Sequence, residues 1–131
     1  MPHHVNDLTG KIIHSAIEVH RSLGPGLLES AYHNCLAREF ELSGIPFNKK
    51  LPLRLAYKGI TVKAYELDLL VADQVVVEVK SIATILPIHE AQLLTYMRIG
   101  GWQIGLLLNF NVTVLKKGIC RRVLNFVEEE D

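Results

Sequence analysis

"YELDLLVADQVVVEVK", residues 65–80, reads as two β-strands and the turn between them. Valine and leucine dominate it, and Ala72-Asp73-Gln74 breaks the apolar run. Three charges nevertheless stand inside the strand sequence: Asp68, Glu78 and Lys80. Strand side chains alternate between faces, so Glu78 and Lys80 share one face while Val77 and Val79 take the other. By the same rule Glu66, Asp68 and Leu70 share a face on the preceding strand. Turn length decides whether the two acids meet. A three-residue loop at Ala72-Asp73-Gln74 pairs Val71 with Val75 and sets Asp68 opposite Glu78. A two-residue loop would flip one strand relative to the other and separate them.

Two acids opposed at about 5 Å repel one another, and burial makes the repulsion worse. A divalent cation between them removes the conflict, and Mg2+ takes carboxylate and water oxygens. Lys80, one pleat along from Glu78, can then orient an attacking water or help to deprotonate it. Such a set of groups suits phosphodiester hydrolysis. A plainer reading is also open. E-x-K on a strand is often the wet face of a sheet with a surface ion pair, worth about 0–1 kcal/mol.

Working outward, "PFNKKLPLRLAYKG" alternates, with Leu51, Leu53 and Leu55 on one side, and Lys58-Gly59 turns it into "ITVKAYELDLLVA". Upstream, a helix is expected from about Leu27 to Ser43, closed by Gly44, with Leu28, Ala31, Cys35, Leu36 and Phe40 as its apolar stripe. "GPG" at 24–26 ends an earlier helix, which Asn6 or Asp7 can cap. That helix presents Ile12, Ile13, Ala16, Ile17, His20 and Leu23 on one face. Downstream, Pro87 begins a helix over about His89 to Ile99, ended by Gly100-Gly101. "WQIGLLLNF" is too apolar for an exposed edge and is expected inside the sheet, while "VTVLKKG" and "CRRVLNFV" read as a closing strand pair. The order α-α-β-β-β-α-β-β-β predicts an α/β fold, a mixed sheet flanked by helices. One domain over 1–131 is expected, with 1–6 and 128–131 flexible.

The chain has 131 residues, 49% of them hydrophobic, which suits one domain with a substantial core. Fourteen basic residues balance fourteen acidic ones, so the domain has no global basic footprint for nucleic acid. Any such contact must be local or helped by a metal ion. Basic residues do cluster at Lys49, Lys50, Arg54, Lys58 and Lys63, and again at Lys116, Lys117, Arg121 and Arg122. Both groups could track a phosphate backbone or simply guard a sheet edge. Cys35 and Cys120 lie far apart; they read as small core residues rather than a disulfide or a zinc site. His14, His20 and His33 lack zinc-type spacing, and His3 and His4 fall in the flexible start. No signal-peptide core or apolar run of about 18 residues is present, so a soluble, cytoplasmic protein without membrane contact is expected.

The spacing D-x9-E-x-K at Asp68, Glu78 and Lys80 resembles the PD-(D/E)xK nuclease superfamily. "GLLESAY" adds Gly26, Glu29 and Tyr32, which resemble the signature of the GxxExxY proteins within it. The resemblance spans roughly residues 8 to 120 and includes "GIPFNKKLPLRLAYKG", "DLLVADQVVVEVKS" and "HEAQLLTYMRIGGWQIGLLLNF". It implies a restriction-endonuclease-like core and metal ligation by Asp68, Glu78 and Glu29, with the Val79 carbonyl as a further ligand. It makes Lys80 the catalytic lysine. Gln92 and Tyr96 match a Q-x3-Y element that shapes the site or meets substrate in related branches. Helical spacing supports part of this: Glu29 and Tyr32 share a face, as do His89, Gln92 and Tyr96. Tyr32, His89 and Tyr96 are therefore expected to contact substrate, and Gln92 to serve in catalysis. Glu29 could instead complement the dipole of its helix, and Gln92 and Tyr96 could be a packing edge.

Two departures stand out. Leu67 replaces the proline of the motif, and Glu66 stands where relatives carry a basic residue. The extra acid could favour a second metal or repel phosphate. The resemblance implies a nuclease using Mg2+ or Mn2+ to hydrolyse phosphodiester bonds in DNA. The alternative is a catalytically inactive nuclease fold that binds nucleic acid or a partner protein. A homodimer or larger assembly is expected, with "VLNFV" of the last strand as its interface.

Overall fold

The computed structural model describes residues 2–124, with side chains from residue 5 onward. The chain forms α1 (Pro2–Leu23), α2 (Glu29–Ser43), β1 (Phe47–Tyr57), β2 (Ile60–Val71), β3 (Val75–Lys80), α3 (Pro87–Gly100), β4 (Ile104–Asn109), a 3-10 turn (Leu115–Gly118) and β5 (Ile119–Val123). The five strands make one sheet in the order β1-β2-β3-β4-β5. Only β3 and β4 run parallel, because α3 carries the chain back between them.

The sheet separates two cores. Leu69, Val71, Val77, Val79, Leu106 and Leu108 face α1 and α2. Leu67, Leu70, Val76 and Leu107 face α3 through its buried Leu93 and Met97. Gly105 sets how closely α3 approaches: a Cβ there would lie 2.5 Å from Met97 Sδ and 2.9 Å from Leu93 Cδ1. All six residues of β4 are buried between β3 and β5, so "WQIGLLLNF" lies inside the sheet as expected.

The central hairpin has the three-residue loop: Val71 pairs with Val75, Leu70 with Val76 and Leu69 with Val77. Ala72 and Asp73 both take left-handed backbone, φ 51° and 57°. Aspartate tolerates this; alanine does so at a cost. Ala72 is held there because its N–H donates to Pro46 O at 2.8 Å.

Several local expectations are corrected. α1 starts at Pro2 instead of being capped at Asn6 or Asp7. Proline suits a first helical turn, where its missing N–H has no partner to lose. Ile12, Ala16, Val19 and His20 form the buried face of α1, while Ile17 and Leu23 are exposed. α2 starts at Glu29 and is rotated from its predicted stripe. Tyr32, His33, Leu36, Ala37 and Phe40 are buried, whereas Leu28 is 77% exposed and Cys35 is at the surface. The polar residues can go inside because their polar atoms find partners, as described below. Cys120 is half-buried against the α3-side core, as expected of it.

"VTVLKKG" forms bends and the 3-10 turn instead of a strand. Leu108 already pairs with Ile119, so residues 110–118 serve as the connection between two antiparallel strands. His20 Nε2 donates to Val112 O at 2.7 Å and Leu115 packs into the core, which anchors that connection. No helix among the described residues is long and apolar enough to cross a membrane. The proposed flexible tail, and all but the first residues of "VLNFV", lie outside the described residues.

Candidate active site

The backbone ladder between β2 and β3 ends at Leu69–Val77. At the next position two carboxylates take over. The Asp68 N–H donates to Glu78 Oε2 at 3.1 Å, and the Val79 N–H donates to Asp68 Oδ2 at 2.8 Å. Each acid thus satisfies the opposite strand where the two begin to part. The other Glu78 oxygen, Oε1, accepts from the Tyr65 hydroxyl at 2.9 Å. His33 Nε2 donates to the Asp68 carbonyl at 3.0 Å, tying α2 to the same point.

Strand alternation breaks here. Leu67 faces α3 and Leu69 faces α1 and α2, although they are two residues apart. Across the seam, Lys50 of β1 has φ 54°, and Leu51 packs on the α3 side while Phe47 packs on the other. The expectation that Glu66, Asp68 and Leu70 share a face is therefore corrected. Leu70 enters the α3-side core, while Glu66 and Asp68 line a cavity of about 180 Å³ with Glu29, His33, Asn34 and Lys50.

The electrostatics follow from that burial. Desolvation, then the Asp68 charge, pushes the Glu78 carboxyl up to about 7; the Asp68 N–H, the Tyr65 hydroxyl and Lys80 oppose the shift. Burial also raises Asp68, against the Val79 N–H and the charges of His33, Lys80 and Lys50. Glu29 is raised by burial and by Asp68, and held down by Lys80 and the Ser81 backbone. Burial thus disfavours the charged form of all three acids. Burial and Glu78 raise both Tyr65 and Tyr96, which keeps them protonated as donors.

The donor set is oxygen from carboxylates, which suits a hard cation such as Mg2+ or Mn2+. Among the described residues no three His, Cys, Asp or Glu side chains gather as a ready-made metal group. A Mg2+ site needs less than that, since one or two carboxylates plus waters and substrate phosphate complete it. Asp68 and Glu78 fit that requirement.

The structure brings some predicted residues together and parts others. Glu29, Asp68, Glu78 and Lys80 interact at one end of the β2–β3 seam. Ser81, next along, donates from Oγ to Leu27 O at 2.7 Å and ties that end to the start of α2. Tyr96 reaches the site through Tyr65: their rings stack at 4.0 Å and 11°. Gln92 is exposed on α3. His89 Nδ1 accepts the Leu86 N–H at 2.9 Å, which closes the first turn of α3. Tyr32 is corrected. It is fully buried and stacked on Phe110 at 4.6 Å. Its hydroxyl donates to Gly24 O at 2.6 Å and accepts from Leu27 N at 3.1 Å, so it staples the loop before Glu29.

Tyr65, His33 and Asn109 are the residues that sequence reasoning missed. Tyr65 lies three residues from Asp68, a spacing that regular alternation assigns to opposite faces. Asn109 ends β4 beside Lys80 and is 2% exposed. Its Oδ1 accepts from the N–H groups of Ile82 and Asn111, and its Nδ2 donates to Ile82 O, which shapes the chain leaving Lys80. The lone polar residue closing "GLLLN" was the available signal.

The chain belongs to the PD-(D/E)XK nuclease superfamily, whose sequence profile matches residues 6–123. Its five-stranded mixed sheet with flanking helices agrees with the restriction-endonuclease-like fold. No curated protein and no solved structure matches the chain.

Proposed function

Because the chain belongs to that superfamily, we propose that it is a metal-dependent nuclease hydrolysing phosphodiester bonds in DNA, of the GxxExxY branch. The observation that carries this reading is the Asp68–Glu78 lock, with Glu29 and Lys80 beside it. Asp68 and Glu78 would hold Mg2+ or Mn2+, joined by Glu29 and the Val79 carbonyl. The ion would supply Lewis-acid stabilisation and lower the pKa of water. Lys80 orients the attacking water and offsets charge developing on the phosphate. Tyr65 and Tyr96 keep the Glu78 carboxylate aimed into the seam. A homodimer in the cytoplasm goes with this reading, and sedimentation of the full chain tests the assembly.

The direct test is cleavage of labelled DNA, with RNA as comparison, in Mg2+ and in Mn2+. Glu78→Ala and Lys80→Ala should each lower the rate by about 100-fold or more while keeping the far-ultraviolet circular dichroism of the wild type. Undiminished cleavage by either variant sinks the assignment.

Glu66 favours a second reading, a nuclease fold kept for binding alone. It lines the same cavity as Glu29 and Asp68, adding an acid where phosphate must approach. On that reading nucleic-acid or protein binding survives Asp68→Ala/Glu78→Ala, and no metal-dependent cutting appears in the wild type.

A further inference from the structure

The β1–β2 hairpin outruns the sheet it belongs to. β1 has 11 residues and β2 has 12, whereas β3 has 6. The last side chains of the hairpin that pack on the α3-side core are Leu53 and Tyr65. Beyond them, residues 54–64 form a two-stranded arm, pairing Arg54 with Lys63, Leu55 with Val62, Ala56 with Thr61 and Tyr57 with Ile60. A register shift at Leu53/Arg54 marks where the arm leaves the sheet. Such a bulge bends and re-aims a ribbon.

Among the described residues, neither face of this arm is covered. Every residue from 54 to 64 is exposed except half-buried Leu55. A hairpin on a core shows alternating burial, and a lone two-stranded ribbon is marginal in water. Its composition is also one-sided: Arg54, Lys58 and Lys63, with no acid between 54 and 64, in a chain of zero net charge. Arg54 and Lys63 are directly opposed across the strands, a like-charge pair that costs stability. Lys63 has partial relief from surface-exposed Glu66 at 3.4 Å. At the tip, Tyr57 and Ile60 are 57% and 58% exposed, and the Lys58 ammonium lies 5.3 Å from the Tyr57 ring centre.

We propose that this arm grips duplex nucleic acid, lying in a groove with Arg54, Lys58 and Lys63 toward the phosphates. The proposal deepens the nuclease reading and rests on it for the site from which the arm extends. A two-stranded ribbon fits a major groove about 12 Å wide. The opposed cations then gain anions beyond Glu66, the acid that pairs with Lys63 among the described residues. A second copy of the chain is a poor occupant, because two such arms repel. Strand β2 runs from Asp68 through that bulge into the arm, so Lys63 and Ile60 lie at most about 17 and 26 Å along it. At about 3.4 Å of rise per base pair, the arm contacts the duplex within about eight base pairs of the reacting phosphate.

The test is duplex binding by the full chain in EDTA, followed by fluorescence anisotropy across a salt series. Arg54→Ala/Lys58→Ala/Lys63→Ala should weaken binding about tenfold or more and lower the slope of log K against log salt by about 2 to 3. A control removing three exposed cations elsewhere, Lys11→Ala/Arg21→Ala/Arg38→Ala, should change affinity by about twofold or less. Thermal melts check that both variants fold. Equal binding by wild type and arm variant overturns the proposal, as does a wild type that binds no duplex. So does loss of self-association in the arm variant with duplex binding unchanged. Arm-dependent binding by a wild type that cuts nothing in Mn2+ upholds the arm and rejects the nuclease reading instead.

Discussion

Asp68 and Glu78 bind each other's strands more than they bind each other. The Asp68 N–H goes to a Glu78 oxygen at 3.1 Å, and an Asp68 oxygen takes the Val79 N–H at 2.8 Å. Two acids can be opposed inside a sheet because each replaces a ladder bond that the diverging strands no longer make. The exchange satisfies backbone donors, and it leaves the shared negative charge unmet.

That charge makes stability depend on pH. The Glu78 carboxyl is raised from 4.5 to about 7. A raised acid favours the folded state fully below its unfolded pKa and loses that contribution as pH climbs through the folded value. Metal-free protein should therefore lose stability between about pH 4.5 and 7, by on the order of 3 kcal/mol from this group. Asp68 and Glu29, also raised, act in the same direction. Glu78→Gln should flatten the profile. Its amide oxygen can accept from Asp68 and its NH2 can donate to the Tyr65 oxygen. Urea unfolding across pH reads the difference, and a wild type that gains stability from pH 5 to 8 contradicts it.

Divalent cations should reverse that trend. A bound Mn2+ supplies the missing positive charge and must displace the Glu78 proton. Calorimetry should show Mn2+ binding to the wild type, absent in Asp68→Ala/Glu78→Ala, with affinity rising from pH 6 to 8 and protons released on binding. Affinity independent of pH would place the ion elsewhere.

Tyr65→Phe isolates one hydrogen bond. It keeps the ring stacked on Tyr96 at 4.0 Å and removes the donor to Glu78 Oε1. At pH 8 the loss should be about 1–3 kcal/mol, since a buried carboxylate oxygen loses its donor. At pH 4.5 a protonated Glu78 suffers less, so the cost should shrink. The same variant should move the pH midpoint of Mn2+ binding upward. Equal destabilisation at both pH values would reduce Tyr65 to a packing residue.

Tyr32→Phe tests how Glu29 is placed. The hydroxyl joins Gly24 O to the Leu27 N–H, and Gly24 and Gly26 hold φ 73° and 96° in the loop between them. Without it the loop before α2 loses its tie, and the Gly24 carbonyl and the Leu27 N–H lose a partner. Thermal and urea unfolding should show a loss of about 0.5–1.5 kcal/mol. Mn2+ affinity should fall less than in Glu29→Ala. A variant as stable as the wild type would remove Tyr32 from this role.

Much of this protein is set by local sequence. Three residues between Val71 and Val75 put Asp68 level with Glu78, because register in a hairpin is a count along two strands. The run "GLLLN" had to lie inside the sheet, because so apolar a strand cannot face water on an edge. Gly44 and Gly101 end their helices in the left-handed backbone that glycine takes readily. Tertiary structure alone decided the rest. The face switch at Asp68 follows from strands parting around two carboxylates, which no periodic count contains. α2 turns Tyr32 and His33 inward because a loop carbonyl and the Asp68 carbonyl, remote or non-helical, are there to receive them. Tyr65 joins the site for the same reason: its neighbours Glu78 and Tyr96 come from other elements, and only packing brings them within hydrogen-bond and stacking distance.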